Sequence, residues 1–493
     1  MLKNSSKITR LKSSLSSSLE YNKQFYLFFK HTIQNCRQCE LVALMDFIRL
    51  FKHHKFLILF CGFIYSFVWF NNKIFEQSSK FDKTVTSYHA NISIKNIYFI
   101  FEYLSKLQVN LLLIDPFLLD YLFIRQLPFR KFQKHLITFG ITYDSIHIIN
   151  VLLSEKKFSV TISRSFNNSS IDHIFIAYNQ QLIHLAILHE KKSYFLIRPT
   201  TVQLPININL SYGDTARVIE LTEKEFAKDQ LPFYCPNNVL HFLWLYKRSE
   251  FLECNRTLAN KMENQFHIYQ NRSQINLVIL PMRNINYILN KLEKNYWLAG
   301  GTLLGWYRHC GFIPYTQDVD FGLFAEEYDE NIRKYFLGNP IVYLWGALGL
   351  VNDSLEFRLF TGHYTFDLFW AYRENDHRWC GYQLCSCDLF GYRFSIPCSP
   401  VDYLNNEYGY DLWKNPLENN YKWINIKYQS TWNDISWMYA IRLYTSEGKL
   451  RQDKYAINWI TKHFNYSLKR IPSYLNVLPN EPITLPPVFI GEI

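Results

Sequence analysis

Charged residues are scarce in this sequence of 493 residues, and no internal repeat or long low-complexity segment interrupts it. Asp, Glu, Lys and Arg make up 19% of the chain, whereas aromatic residues alone make up 18%. This balance argues against broad disorder, because a chain so rich in apolar and aromatic side chains folds to bury them. The length is sufficient for two or three domains with a substantial core.

The sequence also lacks a stripe of Lys and Arg interleaved with aromatic residues, which is the pattern typical of nucleic-acid binding. The net charge is +11, but residues 1–55 contain ten Lys and Arg against three Asp and Glu, so this tail carries most of it. We therefore predict a basic N-terminal tail and no nucleic-acid partner.

The candidate membrane segment, residues 56–70, is shorter than the ~20 residues of an average span. It contains no charged residue, follows the basic tail and precedes Lys73. A signal peptide and a buried helix are the alternatives, but no small-residue cleavage pattern follows, which favours an uncleaved signal-anchor. Its positive N-terminal flank predicts a type II, single-pass membrane protein of the Golgi or ER, with residues 1–55 cytosolic and a stem at 71–90 on the luminal side.

The predicted luminal part contains Asn-x-Ser/Thr sequences that permit N-glycosylation without establishing it. They lie at Asn91, Asn167, Asn168, Asn209, Asn255, Asn271, Asn352 and Asn465. The same part has an odd number of cysteines, so at least one has no intramolecular disulfide partner. The cluster Cys380, Cys385, Cys387 and Cys398 lacks the Cys-x2-Cys spacing common in zinc sites, which favours disulfides over zinc.

The luminal part divides into two predicted domains. Residues 91–275 mix β-branched and aromatic strands, such as 174–178 and 194–197, and are predicted to form an α/β or mainly β non-catalytic domain. Residues 276–493 are predicted to be the catalytic domain. Its expected elements are helices at Pro281–Asn295, 326–335 and 399–408 and strands near 356–360 and 365–370, while the run 277–280 is ambiguous between a strand and an extended lead-in.

The segment 297–324 joins a glycine-rich turn to paired carboxylates. Gly300 and Gly301 give the backbone room to turn beneath a ligand, and Thr302 is a candidate N-cap for a helix over 303–308. Because a free helix N-terminus attracts anions, these three residues are the predicted phosphate-binding residues. A Gly-rich turn that merely precedes a helix is the alternative interpretation.

Asp318 and Asp320 are two apart in an apolar run and so project from the same face of a strand. Together they can bridge one Mg²⁺ or Mn²⁺, and they are the predicted catalytic and metal-binding pair. Asp367, in the strand 365–370, is predicted to complete the metal site or to act as general base; a backbone-bonded Asp at a strand end is the alternative. Arg308 is predicted to reach a donor phosphate, with a surface salt bridge as its alternative.

The order Gly-Gly-Thr-Leu-Leu-Gly, Arg308, Ile313-Pro314 and Asp-x-Asp resembles the signature of the LicD/fukutin family, whose fold is nucleotidyltransferase-like. Further segments resemble the fukutin branch and extend the similarity over roughly residues 95–445. They are Val109–Pro116, Phe251–Cys254, Ile396–Cys398, Tyr403-Leu404 and Tyr408-Gly409. Gln317 departs from bacterial relatives, which often have an acid at that position.

The resemblance implies an α/β, nucleotidyltransferase-like domain that transfers ribitol 5-phosphate from CDP-ribitol to a sugar of an O-mannosyl glycan on a dystroglycan-type glycoprotein. The donor, the glycoprotein acceptor and Mg²⁺ or Mn²⁺ are therefore the expected ligands. Two alternatives stay open. One is a transferase of phosphocholine or another alcohol phosphate, and the other is an inactive Golgi scaffold that recruits a partner glycosyltransferase.

Overall fold

The computed structural model describes residues 94–456 and 458–459, apart from 130–131, 133–135, 143–147, 166–169, 180, 203–209, 221–225, 228–232, 373–382 and 417–439. The predicted cytosolic tail, signal-anchor and stem lie outside these residues and stay predictions. Within the described ranges, no helix combines the length and apolarity needed to cross a membrane.

The described elements make a mixed α/β architecture, as predicted. The α-helices are α1 Ile94–Lys106, α2 Pro116–Leu119, α3 Ile148–Ser154, α4 Val239–Tyr246, α5 Arg256–Asn264, α6 Arg272–Lys291, α7 Gly300–His309, α8 Glu330–Phe336 and α9 Pro400–Tyr408. The strands are β1 Leu112–Leu113, β2 Leu136–Thr142, β3 Ser159–Arg164, β4 Ile171–Tyr178, β5 Gln181–Glu190, β6 Phe195–Ile197, β7 Arg217–Ile219, β8 Phe226–Ala227, β9 Cys235–Pro236, β10 Phe251–Leu252, β11 Tyr296–Leu298, β12 Asp318–Phe324, β13 Tyr343–Leu350, β14 Asp353–Phe360, β15 Thr365–Ala371, β16 Leu384–Leu389, β17 Tyr392–Pro397 and β18 Ile441–Leu443.

The first large sheet has the order β1-β2-β5-β4-β3, with β6 and β7 continuing from β5. Its β2–β5 pair is parallel, and β4 lies antiparallel to β5. Apolar side chains of these strands pack with α1 in one buried cluster, which includes Phe101, Phe139 and Phe233. The rings of Phe101 and Phe139 meet edge to face with centroids 5.2 Å apart, an arrangement that favours aromatic pairs.

A chain of polar side chains crosses the core of this first sheet. Thr138 Oγ1 lies 3.1 Å from His184 Nδ1, His184 Nε2 lies 2.9 Å from His173 Nδ1, and His173 Nε2 lies 2.7 Å from the Arg198 carbonyl oxygen. Because the Arg198 carbonyl only accepts, Nε2 of His173 carries the proton. Burial lowers the pKa of His173 to about 4 and also lowers the pKa of His184. Both rings are therefore neutral at physiological pH.

The second large sheet has the order β11-β12-β15-β14-β13-β18 and contains the predicted catalytic strands. Only the β12–β15 pair among its described pairs is parallel. Trp297 of β11 packs against Gly322 of β12, where a Cβ atom would lie 2.2 Å from the indole. A separate sheet, β10-β16-β17, joins strand β10 at residues 251–252 to β16 by parallel pairing. The boundary at 275/276 stays a prediction.

Two of the predicted helices have different bounds. The helix predicted to begin at Pro281 is α6, which begins at Arg272, includes the ambiguous run 277–280 and carries Pro281 in its interior. Asn271 caps it by accepting hydrogen bonds from the Ser273 and Gln274 amides, so this cap sets the start rather than the proline. The helix predicted at 326–335 is interrupted: a 3₁₀ turn at Ala325–Glu327 precedes α8, which Asp329 caps.

Candidate active site

The glycine-rich turn and the Asp-x-Asp strand are tied together by hydrogen bonds. The Asp320 amide donates to Thr302 Oγ1 at 2.7 Å, and the Gly301 amide donates to Asp320 Oδ2 at 3.1 Å. The Ala299 amide also donates to the Asp320 carbonyl oxygen at 3.0 Å. Thr302 was predicted to be the N-cap of the helix, and this was wrong: α7 begins at Gly300 with Ala299 as N-cap. The hydroxyl of Thr302 instead fixes strand β12.

The glycine at position 300 has a direct structural cause. Its φ is +48°, a left-handed conformation, and a Cβ at this position would lie 2.6 Å from Asp320 Oδ2. A side chain would therefore both strain the backbone and displace the carboxylate. At Gly301, by contrast, a Cβ would lie 3.7 Å from the same oxygen. The turn is built around Asp320, and the Gly301 amide that was predicted to bind phosphate already binds this carboxylate.

The structure brings together Asp318, Asp320 and Asp367. Asp318 and Asp320 lie on one face of β12, and Asp320 is directly opposite Asp367 of β15 in the parallel register. The Asp318 side chain is exposed and accepts a hydrogen bond from Thr316, and Asp320 is partly exposed. Asp367, at 3% exposure, is buried. A ligand approaching from solvent therefore meets Asp318 and Asp320 first.

Arg358 of β14 is a cation that the sequence reasoning missed. Its Nε and Nη2 donate to the two carboxylate oxygens of Asp367 at 2.9 Å each, and Nη2 lies 3.0 Å from Glu356. The signal was available in part, since Arg358 directly opposes Asp367 once β14 and β15 form a hairpin. This bidentate pair uses one acceptor site on each oxygen of Asp367, so a metal ion or an acceptor hydroxyl would share these oxygens with Arg358.

A second missed residue is Glu407, near the end of α9. Tyr403 and the Gly300 backbone lie near enough to its carboxylate to lower the pKa of Glu407. Its side chain is exposed, but protein atoms crowd the carboxylate and raise the pKa of Glu407 to about 7. A weak sequence signal existed. A negative charge in the last turn of a helix interacts unfavourably with the helix dipole, so an acid there is expected to interact with a group outside its own helix.

Burial and neighbouring acids raise the pKa of Asp320 and of Asp367. Although Asp320 is partly exposed, protein atoms surround its carboxylate, and this desolvation, followed by the charges of Asp318, Asp367 and Glu407, raises the pKa of Asp320 well above its ordinary value. Burial also raises the pKa of Asp367, against the lowering effect of Arg358. Such mutual repulsion is relieved when a cation binds between the acids.

The donor set fits a divalent cation in its chemistry. Asp318 and Asp320 are oxygen donors on one face, and the described hydrogen bonds to them come from neutral groups, the Thr316 hydroxyl and the Gly301 amide. Hard oxygen ligands of this kind suit Mg²⁺ and Mn²⁺. As they stand, no three His, Cys, Asp or Glu side chains within the described ranges converge on one metal-binding point. That Asp367 ligates the metal stays a prediction.

The described hydrogen bonds of Arg308 go to groups other than the three carboxylates. Its side chain is buried, and Nη1 donates to the Trp413 and Asn415 carbonyl oxygens at 2.6 and 3.4 Å, while Nε donates to His309 Nε2 at 3.1 Å. Burial lowers its pKa. The contacts of Nη1 tie α7 to the segment that follows α9. That Arg308 reaches a donor phosphate stays a prediction.

Two disulfides link elements of the part of the chain that contains the candidate active site. Cys254–Cys310 joins the segment after β10 to the end of α7, and Cys385–Cys398 joins β16 to the residue that follows β17. The second bond confirms disulfide formation over zinc for that pair. Cys387 is a buried thiol, and Cys380 lies outside the described residues.

Comparison with known proteins agrees with the geometry. Residues 293–383 match the family model described as "LicD/FKTN/FKRP, nucleotidyltransferase domain". The Homo sapiens and Macaca fascicularis proteins named "Ribitol-5-phosphate transferase FKTN" are each 28% identical to this chain over 302 residues, covering 53% of this chain and 63% of theirs. This chain thus spans less than two thirds of those relatives. The predicted resemblance to the LicD/fukutin family is confirmed by these matches.

Two further matches are weaker. The Mus musculus "Ribitol 5-phosphate transferase FKRP" is 32% identical over 88 residues, which cover 17% of each chain. The crystal structure of the Megavirus polyadenylate synthase covers 66% of each chain at 10% identity and a TM-score of 0.21. That score is too low to support an argument about the fold.

Proposed function

We propose, from the LicD/FKTN/FKRP match of residues 293–383, that the chain is a metal-dependent transferase of an alcohol phosphate. The specific proposal is transfer of ribitol 5-phosphate from CDP-ribitol to a sugar of an O-mannosyl glycan, after the activity in the names of the FKTN relatives. The observation that carries it is the accessible pair Asp318 and Asp320 beside the N-terminus of α7.

In this proposal Asp318 and Asp320 hold Mg²⁺ or Mn²⁺, which would neutralise the charge of the donor pyrophosphate and of the departing CMP. The Gly301 amide and the Thr302 hydroxyl keep Asp320 in place. Arg358 forms an ion pair with Asp367 and offsets its negative charge. The buried carboxylate therefore repels an incoming phosphate less. Positioning and electrostatics supply most of the catalysis in such reactions, so loss of either strand carboxylate is expected to cost orders of magnitude in rate.

The test is CMP release by the full chain in detergent from CDP-ribitol and CDP-choline, with Mn²⁺ or EDTA and with a glycan acceptor. Asp320→Asn removes a proposed ligand, and Asp402→Asn is the matched control because Asp402 is an exposed acid on α9. Cation-dependent turnover of CDP-ribitol that Asp320→Asn abolishes and Asp402→Asn preserves would support the proposal. Turnover of CDP-choline alone would favour a phosphocholine transferase, and silence with both donors would favour the scaffold.

We also propose that residues 56–70 anchor the chain as a type II protein of the Golgi or ER, with the described residues in the lumen and partner glycosyltransferases nearby. The two disulfides support this placement, because disulfides persist in oxidising compartments. Protease protection of microsomes tests it. Luminal residues resist protease until detergent is added, and cleavage without detergent would contradict the placement.

A further inference from the structure

We propose that Arg358 is a positioning residue of the active site, whose guanidinium orients the carboxylate of Asp367 for metal binding beside Asp320. This inference rests on the proposed function, since it assigns a role within that site. It starts from a row of three residues on three neighbouring strands. Asp320 of β12 is directly opposite Asp367 of β15, and Asp367 is directly opposite Arg358 of β14.

The contact between Arg358 and Asp367 sets an orientation as well as a charge. Nε and Nη2 of Arg358 donate to different oxygens of Asp367, each at 2.9 Å. Two parallel hydrogen bonds from a planar fork fix the plane of a carboxylate, which a single bond leaves free to rotate. An ionised carboxylate has about four acceptor sites, so each oxygen of Asp367 keeps one for another ligand. Arg358 can therefore orient Asp367 without preventing it from binding a cation.

Glu356 contacts the same guanidinium. It lies two residues before Arg358 on β14, so the two side chains project from one face of the strand. Its Oε1 lies 3.0 Å from Nη2 of Arg358, the nitrogen that also donates to Asp367. The side chains of Arg358 and Glu356 are 32% and 18% exposed, so both lie mostly within the protein. The arginine thus has acids on two sides, which restrict the directions that its long side chain can take.

Burial explains why Asp367 needs such a partner. Asp367 is buried, whereas Asp318 and Asp320 are at least partly accessible. Without Arg358 the charge of Asp367 would be uncompensated in the protein interior. Outer hydrogen-bonding partners of this kind orient metal ligands, and their loss typically costs about 10–100-fold in metal affinity.

Substitutions of Arg358 separate orientation from charge. Arg358→Met removes both the fork and the charge, whereas Arg358→Lys keeps the charge and loses the fork. By charge alone, the methionine variant would bind a divalent cation more tightly, because a repelling positive charge is gone. Arg442→Met is the matched control. Arg442 belongs to the same sheet and is in one register row with Ala347 and Phe357, so it lies on the opposite face from Arg358.

The experiment titrates Mn²⁺ alone into the full chain in detergent and follows the free ion by electron paramagnetic resonance. We expect Arg358→Met and Arg358→Lys to weaken Mn²⁺ binding about 10–100-fold, and Arg442→Met to bind like the unaltered chain. Asp367→Asn should bind Mn²⁺ no more tightly than the double variant Asp367→Asn with Arg358→Lys, because Arg358 acts through Asp367. Urea unfolding measured in parallel identifies any variant that fails to fold, and Arg358→Lys decides if Arg358→Met does.

The contrary results each overturn the inference in a distinct way. Tighter Mn²⁺ binding by Arg358→Met would show that the charge of Arg358 only repels the ion, and unchanged affinity in Arg358→Lys would reject orientation by the fork. A further loss from Arg358→Lys in the Asp367→Asn background would show that Arg358 does not act through Asp367. Failure of the transferase proposal appears separately, as the expected Mn²⁺ affinities with no CMP released from either donor, whereas no Mn²⁺ binding by the unaltered chain would reject both.

Discussion

Replacement of Gly300 by alanine tests the central feature of the site, the close fit of the turn to Asp320. The new Cβ would lie 2.6 Å from Asp320 Oδ2, so the carboxylate or the turn must move by about 0.8 Å to reach ordinary contact at 3.4 Å. A misplacement of this size can cost about 10²-fold in rate. The φ of +48° adds roughly 1–2 kcal/mol of backbone cost for a residue with a Cβ.

Gly362→Ala is the control for the backbone cost of a positive φ without a steric clash. Gly362 also has a left-handed φ, +96°, but a Cβ there would meet nothing within 4 Å. Both variants should lose stability in urea unfolding, whereas Gly300→Ala alone should lose CMP release about 10²-fold and weaken Mn²⁺ binding. Full activity in Gly300→Ala, or an equal loss of activity in Gly362→Ala, would refute the claim that the turn is shaped by the carboxylate.

Three further predictions concern stability, each measured by urea unfolding. Arg358→Met should lower the free energy of unfolding by about 2 kcal/mol, less than for a fully buried pair because Arg358 is partly exposed, and an unchanged midpoint would contradict this. Burial keeps His173 neutral when folded, so its contribution is complete above pH 6.5 and is lost as pH falls towards about 4. His173→Gln should remove up to about 3 kcal/mol of that pH dependence, and an identical pH profile in the variant would reject the assignment. Serine at both Cys254 and Cys310, which are 56 residues apart, should cost about 4 kcal/mol by loop entropy, and equal stability would show that this bond does not constrain the unfolded chain.

The bounds of the helices show where local sequence signals compete. Pro281 suits the first turn of a helix, yet α6 runs through it. Asn271 caps the helix upstream, and apolar side chains are buried before the proline at Val278 and after it at Met282, Ile285, Ile288 and Leu289. That burial offsets the hydrogen bond that proline cannot donate. Pro400 does lie in the first turn of α9, as predicted, and Ser399 is the N-cap.

The sequence by itself determined the local geometry of the site. Residues two apart on a strand share a face, so Asp318 and Asp320 had to project together, and only glycine adopts the φ of Gly300 without cost. Tertiary structure decided the rest, because it depends on contacts between residues far apart in the chain. Strand register set Asp367 against Arg358, and chain folding placed the Trp413 carbonyl oxygen where Arg308 donates to it. No periodicity of the local sequence encodes these contacts, because each contact forms only once the sheet and the helices have packed.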